Sequence, residues 1–476
     1  MFEDRLRELD PVFHPRSIAV VGASSDERKS GAKWVIGLRA AGYEGAIYPV
    51  SARGGTVAGL EIARSLSSIE SDIDYVIASV PSNSVLDLIE ECIRKKARVV
   101  QFFTAGFSET GSREGKQLEE KMLLRAREAG LRVVGPNCIG SYCPEARIPL
   151  GPSLLGKVGS PGSIGFISQS GGIAAKLVEI GIARHIEFSK GISVGNSIDL
   201  DASDFLEYFA ADSKTSAIGA YMEGTRDGQR LFHTLQAVCQ AKPTVVWKGG
   251  RTDAGAAAAL SHTGSLASSA PVWSAMLRQA GAIEARSIEE LSDCLLLLQQ
   301  LGEFRAEKVA IIGGLADGGG GISVSGSDAC NDNALAVPEL SPGTKEGLKS
   351  LLGEVGSILR NPVDVSPAQF RGLDTLFRAI RLVAEEPAIE IIVIQEDMDI
   401  MLSFLSAHET ADINAFLARL RQECKKPFVL VLPPGSAETE RIGAESQLLQ
   451  AGVPVFPTMA RAARAIALVS RRRFGR

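Results

Sequence analysis

Short apolar runs that end in small or polar turn residues recur along the chain, and helical segments separate them. Ser17-Ile-Ala-Val-Val leads into Gly22, and Tyr75-Val-Ile-Ala-Ser-Val and Val99-Val-Gln-Phe-Phe are further examples. A helical segment from Val85 to Lys96 lies between the last two. Because alternating β and α segments favour parallel strands covered by helices on both faces, we expect an α/β protein with doubly wound sheets.

The chain is too long for one ordinary hydrophobic core. Its 476 residues predict about three domains. A Pro/Gly-rich stretch from Pro149-Leu-Gly-Pro to Ser160-Pro-Gly is typical of a boundary, and the βα alternation restarts at Val309-Ala-Ile-Ile. We therefore expect domains over residues 1–150, 151–302 and 303–476.

Composition limits which binding partners and which cellular compartment can be expected for this chain. The formal net charge of −5 offers no bulk attraction to nucleic acid. The seven cysteines are scattered without a Cys-x-x-Cys motif, which predicts neither a metal site nor disulfides and favours the reducing cytoplasm. The charged start, Met1-Phe-Glu-Asp-Arg, lacks the apolar segment of a signal peptide, and no apolar run has membrane-spanning length.

The turn after the first predicted strand resembles a dinucleotide site only in part. Gly22-Ala-Ser-Ser is an incomplete Gly-x-Gly-x-x-Gly motif. The second strand leads to Arg53, where a domain that binds NAD would carry an acidic residue. An arginine suits a phosphorylated ribose, either the 2′-phosphate of NADP or the 3′-phosphate of coenzyme A. The residues alone leave these two open.

A histidine in a loop of small residues is the strongest candidate nucleophile. Thr244-Val-Val-Trp is predicted to be a buried strand, and the glycines and alanines after it lead to His262, between Ser261 and Thr263. A histidine beyond the carboxyl end of a strand lies where open α/β sheets bind ligands. The alternative is that His262 only hydrogen-bonds its own loop.

Two other strand ends carry candidate site residues. Ser163-Ile-Gly-Phe-Ile-Ser168 breaks into Gln169-Ser170-Gly171-Gly172 before a helix from about Ile173 to Ile182, and such a helix start can bind an anion. An ordinary turn capped by Ser170 is the alternative. Glu223 follows Ile218-Gly-Ala-Tyr-Met and could fix the tautomer of a histidine, although an isolated carboxylate there is more often a surface group.

The third domain offers a glycine-rich loop without a clear role. Gly313-Gly-Leu-Ala-Asp-Gly-Gly-Gly-Gly lacks the Lys-Ser/Thr of a Walker phosphate loop, so a flexible loop is expected. The segment after it contains Ser325-Gly-Ser-Asp and predicts a polar, poorly formed helix.

Several motifs together resemble the NDP-forming acyl-CoA synthetases, relatives of succinyl-CoA synthetase. Lys248-Gly-Gly-Arg-Thr-Asp-Ala-Gly followed by Ser261-His-Thr-Gly-Ser-Leu-Ala is similar to their phosphohistidine loop. Asn361-Pro-Val-Asp resembles a motif of their third domain. The motifs similar to their CoA-binding domain occur in the expected order: Gly22-Ala-Ser-Ser, Pro49-Val-Ser-Ala-Arg-Gly-Gly, Val80-Pro-Ser, Thr104-Ala-Gly-Phe-Ser-Glu and Gly135-Pro-Asn-Cys-Ile-Gly.

The resemblance implies a fold and a set of site residues. It implies a Rossmann-like CoA-binding domain followed by two flavodoxin-like domains. His262 would take the phosphoryl group and Glu223 would pair with it. The phosphate would lie near Ser168, Ser170, Gly171 and Gly264. Coenzyme A would contact Gly22, Ser24, Arg53, Pro81, Thr104 and Asn137.

The resemblance also implies an activity and a partner. The chain would be the alpha-type subunit of an ADP-forming ligase that interconverts acyl-CoA, ADP and phosphate with a small carboxylic acid, coenzyme A and ATP. An ATP-grasp beta-type subunit would hold ADP or ATP and Mg²⁺, in an α2β2 hetero-oligomer. Two hypotheses from other classes are a catalytically silent CoA-binding module and an NADP-linked oxidoreductase. The acyl group is not predicted.

Overall fold

Mainly parallel β-sheets with helices between their strands make up the fold. The computed structural model describes residues 2–255, 269–313, 320–353, 359–366, 368 and 371–471. Within these residues there are one six-stranded sheet, two five-stranded sheets and a small two-stranded ribbon. The predicted α/β class with parallel sheets is confirmed. The chain divides into two compact units, one that extends to Leu291 and one that starts at Ser292.

The first sheet is built by the amino-terminal part of the chain. In chain order the elements are α1 (Phe2–Phe13), β1 (Ser17–Val21), α2 (Ser30–Ala41), β2 (Ala46–Val50), the ribbon β3 (Thr56–Val57) and β4 (Leu60–Glu61), β5 (Tyr75–Ala78), α3 (Val85–Arg94), β6 (Val99–Phe102), α4 (Arg113–Glu128) and β7 (Arg132–Val134). The five strands are parallel, in the order β2-β1-β5-β6-β7. The chain winds in opposite directions from β1, so the carboxyl ends of β1 and β5 flank a crevice, the usual ligand position in such sheets.

The second sheet belongs to the same compact unit. Its elements are β8 (Gly140–Tyr142), β9 (Ile164–Ser168), α5 (Gly171–Arg184), β10 (Phe188–Ser193), α6 (Ala202–Ala211), β11 (Ala217–Met222), α7 (Gly228–Ala241), β12 (Thr244–Lys248), α8 (Ala270–Ala280) and β13 (Ile283–Ala285). The strand order is β13-β12-β11-β9-β10-β8. Only the edge strand β8 runs antiparallel among the described strands of this sheet, and it pairs with β10.

Aromatic and ionic contacts join the first two sheets. Phe13, at the end of α1, packs against three rings of α6, with centroid distances of 4.9 to 6.1 Å: Phe205, Tyr208 and Phe209. Asp199 accepts hydrogen bonds from the Arg132 side chain at 2.9 Å and from the Val133 amide at 3.0 Å. Because these groups are buried or half-buried, the amino-terminal helix and β7 are bound to the second sheet by contacts that water does not replace.

A histidine–aspartate pair at the end of α1 should make the stability of this unit depend on pH. Nδ1 of His14 lies 2.8 Å from Oδ1 of Asp10, and Nε2 lies 3.8 Å from Sγ of Cys143. Asp10, followed by Cys143, raises the pKa of His14 from 6.5 to about 9, against the opposing effect of burial. A pKa that is higher in the folded state means that the stabilisation is complete below about pH 6.5 and is lost as the pH rises through about 9.

We therefore expect His14→Gln to lower the free energy of unfolding at pH 6 and to have little effect near pH 10. Urea unfolding of the variant and the wild type across this range would measure the difference. Asp10→Asn should show the same pH dependence, because it removes the same charge pair. A difference that stays constant with pH would contradict the assignment.

The third sheet lies in the second compact unit. The helix α9 (Ile288–Leu301) begins at the end of the first unit and continues into the second. The elements that follow are β14 (Val309–Gly313), α10 (Gly320–Asp332), α11 (Pro342–Leu352), β15 (Val363–Asp364), α12 (Leu373–Glu385), β16 (Ile391–Gln395), α13 (Met398–Phe404), α14 (Ala407–Glu423), β17 (Phe428–Val431), α15 (Glu438–Gln450), β18 (Val455–Phe456) and α16 (Met459–Ser470). The strands are parallel, in the order β15-β14-β16-β17-β18.

Two motifs singled out in the third domain are explained by packing. The Asn361 side chain accepts from the Ile311 amide at 2.9 Å and donates to the Val309 carbonyl at 2.7 Å, so it hydrogen-bonds the backbone of β14. The prediction of a poorly formed helix around Ser325 is wrong, since α10 is continuous. Gly326 lets this helix pack closely, because a Cβ there would lie 3.2 Å from Met459 and 3.5 Å from Ile311. Most of the glycine-rich loop, residues 314–319, lies outside the described residues.

Candidate active site

Close backbone contacts shape the crevice of the first sheet. Gly22 has φ +93°, and a Cβ on it would lie 2.1 Å from the Ser79 carbonyl oxygen. A Cβ on Gly31, in the first turn of α2, would lie 2.1 Å from the Gly22 carbonyl oxygen. Glycines therefore allow the end of β1, the end of β5 and the start of α2 to meet. The hydroxyls of Ser30 and Ser79 lie 2.9 Å apart on this contact.

A cavity of about 640 Å³ opens from the crevice towards the second sheet. Its walls come from the strand ends of the first sheet and from the start of α5, and they are formed by Ser30, Ser79, Val80, Pro81, Ser82, Phe103, Thr104, Ala105, Asn137, Cys138, Ile139, Gln169, Ser170, Gly171 and Gly172. The volume is within the range of small-molecule sites. Three residues that the sequence assigns to coenzyme A, Pro81, Thr104 and Asn137, thus share one cavity with two assigned to phosphate, Ser170 and Gly171.

Hydrogen bonds fix the polar groups of the cavity wall. The Thr104 hydroxyl donates to the Val80 carbonyl at 2.6 Å, and the Thr104 carbonyl accepts from the Asn137 amide at 2.9 Å. Asn137 has φ +56°, a left-handed conformation that asparagine tolerates, and its side chain donates to Asn196 at 3.4 Å. Burial raises the pKa of the Cys138 thiol to about 12, so this cysteine stays protonated at neutral pH and is a poor nucleophile.

The other residues assigned to coenzyme A lie around the adjoining strand ends. Arg53 is exposed in the turn after β2, whose last residue, Val50, accepts hydrogen bonds from the amides of Gly22 and Ala23 at 2.9 and 3.1 Å. The Ser24 hydroxyl accepts from the Asp26 amide at 3.1 Å and so stabilises the turn after β1. Gly22, Ser24 and Arg53 are therefore close to the same sheet edge as the cavity without forming its wall.

The start of α5 provides backbone amides at the cavity wall. The Ser168 hydroxyl donates to the Ser170 carbonyl at 2.7 Å and accepts from the Ser170 amide at 3.2 Å, whereas the Ser170 hydroxyl caps the helix by accepting from the Ile173 amide at 3.4 Å. Ser168 is buried behind the turn, and Ser170 and Gly171 line the cavity. The positive end of the helix dipole therefore faces the cavity, as an anion site requires.

Glu223 directly follows β11 and is 6% exposed. The Tyr221 hydroxyl donates to its Oε1 at 2.9 Å. Its amide donates to Oε1 of Gln169, which also accepts from the Gly224 amide at 3.0 Å. Its carbonyl accepts from Nζ of Lys248 at 2.8 Å. The carboxylate is thus buried at the edge where the predicted site residues collect, and the surface alternative for Glu223 does not hold.

Sequence reasoning missed three residues around Glu223, namely Gln169, Tyr221 and Lys248. Gln169 and Lys248 both belong to motifs already singled out, the Ser-Gln-Ser-Gly turn and the Lys-Gly-Gly run, and both lie at strand ends. That position was the available signal for them. The candidates His262 and Gly264 lie in residues 256–268, outside the described part of the chain.

Among the residues that the structure describes, no group of three or more His, Cys, Asp or Glu side chains is arranged to hold a metal ion. None of the helices formed by these residues combines the length and the apolar character needed to cross a membrane.

Comparisons with known proteins agree over most of the chain. Residues 16–144 match the CoA binding domain family, residues 161–298 the succinyl-CoA ligase like flavodoxin domain, and residues 309–476 the ligase-CoA domain. The chain is 34% identical over 470 residues to the alpha subunit of ADP-forming acetate–CoA ligase I from Pyrococcus furiosus. The matched region covers 96% of this chain and 96% of that subunit. It is also 34% identical over 465 residues to ADP-forming acetate–CoA ligase I from Archaeoglobus fulgidus, and spans 63% of that longer protein.

A solved structure is similar over nearly the full length of the chain. Acetyl-coenzyme A synthetase 1 from Candidatus Korarchaeum cryptofilum, in complex with phosphate and ADP, superimposes with a TM-score of 0.84 at 27% identity. The likeness covers 97% of this chain and 96% of that one. The chain therefore belongs to the family of ADP-forming acetate–CoA ligases and corresponds to their alpha subunit.

Proposed function

We propose that this chain acts as the alpha subunit in the interconversion of acyl-CoA, ADP and phosphate with a carboxylic acid, coenzyme A and ATP. The observation that carries the proposal is the shared cavity. The crevice of the first sheet, where coenzyme A would bind, opens onto the amide-rich start of α5, where an anion would bind. A thioester and a phosphate must meet for the first step of this reaction.

Three balanced steps account for the overall reaction. Phosphate attacks the thioester carbonyl, the carbon–sulfur bond breaks, and acyl phosphate and coenzyme A result. The imidazole of His262 then attacks phosphorus and releases the carboxylate. ADP finally takes the phosphoryl group and leaves His262 free. The covalent stage divides one difficult transfer into two easier ones.

The residues of this chain would contribute binding and orientation. The amides near Ser170 and Gly171 would stabilise phosphate charge without having to reorient. Glu223 would accept a hydrogen bond from the His262 imidazole and balance the positive charge that forms on it. Tyr221, 2.9 Å from the Glu223 carboxylate, restricts the rotation of that group. Gly264 and Ser168 complete the proposed phosphate-binding set, Ser168 by shaping the turn.

We further propose that an ATP-grasp beta-type subunit completes the enzyme in an α2β2 assembly in the cytoplasm. Two kinds of relative support the existence of a partner subunit. The Pyrococcus furiosus protein is named as a subunit alpha, whereas the Archaeoglobus fulgidus protein has length beyond the part that this chain matches. The partner would bind ADP or ATP with Mg²⁺, whose charge would neutralise the nucleotide phosphates.

ATP formation tests the proposed function directly. Acetyl-CoA, ADP, Mg²⁺ and phosphate should yield ATP when the chain is mixed with a beta-type subunit of an ADP-forming ligase. The chain by itself should give no ATP above the background of the assay. Rapid ATP formation by the single chain would contradict the need for a partner.

Coenzyme A binding offers a second test, at Arg53. Its exposed guanidinium follows β2 at the edge where an adenosine phosphate would lie. Arg53→Ala should weaken the binding of coenzyme A by more than that of dephospho-coenzyme A, because only the former carries the 3′-phosphate that arginine would bind. Titration calorimetry with both ligands gives the comparison. Equal losses would exclude this role for Arg53, and tight binding of NADP would revive the oxidoreductase hypothesis.

A further inference from the structure

Both sides of the Glu223 peptide are held by side chains from neighbouring strand ends. On the amide side, Oε1 of Gln169 accepts from the Glu223 and Gly224 amides, and Nε2 of Gln169 donates to the Gly224 carbonyl at 3.0 Å. On the carbonyl side, Nζ of Lys248 donates to the Glu223 carbonyl at 2.8 Å and to the Gly249 carbonyl. The backbone that carries the carboxylate is thus fixed in two directions.

Lys248 holds the backbone from a buried position. Its side chain is 2% exposed, and burial lowers the pKa of its ammonium group, against the opposing effect of Glu223. Its Nζ lies 5.4 Å from the centre of the Trp273 ring, within the range of a cation–π contact. Burying an ammonium group costs free energy, and the hydrogen bonds that it donates to two backbone carbonyls offset part of that cost. One of those carbonyls belongs to Glu223, so this lysine fixes the backbone of the residue proposed to orient the histidine.

Gln169 connects this arrangement to the ligand cavity. It lines the cavity of about 640 Å³ and also a second cavity of about 590 Å³, whose wall includes Asn196 and Arg226. Among the described residues, Gln169 is the only one whose side chain both lines the first cavity and hydrogen-bonds the Glu223 backbone. A change at the cavity wall can therefore reach Glu223 through a single side chain.

We propose that Gln169 and Lys248 are positioning residues for the phosphoryl transfer, which fix the backbone of Glu223 so that its carboxylate keeps one orientation towards the histidine it serves. This inference rests on the proposed function and names two residues that the function alone does not. Both residues should affect the rate of the transfer step. Lys248 should not affect the binding of coenzyme A.

The test measures labelling of the full chain by radioactive phosphate in the presence of acetyl-CoA. Lys248→Met should slow labelling by about 10- to 100-fold, as expected for a small displacement of a group that must be aligned. The affinity for coenzyme A should not change. In a Glu223→Gln background, Lys248→Met should slow labelling by less than about a further 3-fold, because the effects of substituting residues that act as a unit do not add. Gln169→Met should change the labelling rate as Lys248→Met does in both backgrounds, and its comparison uses the labelling rate alone, because Gln169 lines the cavity.

The matched control is Lys242, just before the other end of β12. Its Nζ also donates to two backbone carbonyls, those of Phe209 at 2.7 Å and Asp212 at 2.5 Å, and burial also lowers its pKa. Lys242→Met should leave the labelling rate unchanged. Equal slowing by both lysine variants, or full additivity of Lys248→Met with Glu223→Gln, would overturn the inference while the labelled wild type upholds the proposed function. A wild type that takes no label would overturn both.

Discussion

His262→Ala should abolish the acid-labile phosphate label that the wild-type chain acquires from acetyl-CoA and radioactive phosphate. A phosphoramidate is lost in acid and survives base, unlike a phosphate ester on Ser261 or Ser265, so the label identifies its own chemistry. The other histidines have different surroundings. His14 is bound to Asp10, His185 ends α5, His233 contacts the Phe232 ring on α7 and His408 is exposed on α14.

Glu223→Gln should slow the same labelling by about 100-fold or more, the loss typical of a missing acid–base partner. Glutamine can still accept a hydrogen bond, but it cannot balance an imidazolium. Tyr221→Phe is the control that removes one contact of the carboxylate and leaves its charge, so its effect should be much smaller. A label that survives acid, or that persists in His262→Ala, would contradict the phosphohistidine mechanism. The silent CoA-binding module would then be favoured.

Gly22→Ala should destabilise the first sheet strongly and greatly weaken coenzyme A binding. The new Cβ would lie 2.1 Å from the Ser79 carbonyl oxygen, in a backbone conformation of φ +93° that alanine rarely adopts. Strain and overpacking each cost about 1–3 kcal/mol, so we expect a loss of about 2–6 kcal/mol in the free energy of unfolding. Urea unfolding and calorimetry with coenzyme A measure the two effects.

Gly42→Ala provides the matched control for that prediction. Gly42 follows α2 at φ +79°, but nothing lies within 4 Å of the position that its Cβ would occupy. The substitution should therefore lower the free energy of unfolding by only about 1 kcal/mol, because the left-handed conformation is its only unfavourable effect. A loss at Gly42 as large as that at Gly22 would mean that the close approach to Ser79 is not the cause.

The βα order was predictable because parallel strands buried on both faces require continuous apolar runs. Several elements were not predicted, and the helix α1 and the strand β8 are two of them. The amino-terminal helix α1 carries charged residues through most of its length and buries mainly its last turn against α6, so its sequence resembles an exposed segment. Strand β8 has only three residues, Gly140–Tyr142, and it forms because β10 offers a free edge. Both depend on partners distant in sequence, which local patterns do not contain.

The candidate site was predictable where a residue directly follows a strand. Pro81, Thr104, Asn137 and Ser170 meet at one cavity because the carboxyl ends of parallel strands share an edge. Gln169 and Lys248 were missed because their roles depend on the register between β9, β11 and β12, which pairs Tyr221 with Ser168 and Met222 with Lys248. A single sequence does not state which residues face each other across strands. The domain boundaries at 150 and 302 and the role of His262 stay predictions.

The contacts of α1 and β8 have a consequence for how the chain is made. On the ribosome, α1 cannot meet α6 until residues up to Ala211 have emerged, and β8 has no partner until Phe188–Ser193 are complete. The residues of the first sheet, 17–134, are therefore synthesised first, but the contacts of α1 and β8 with the second sheet cannot form until later, and Phe13 has no partner on α6 in the interval. A chimera that joins the first sheet of one relative to the second sheet of another must match Phe13 and the β8–β10 pairing, or the nascent protein will expose the apolar end of α1 and an open sheet edge.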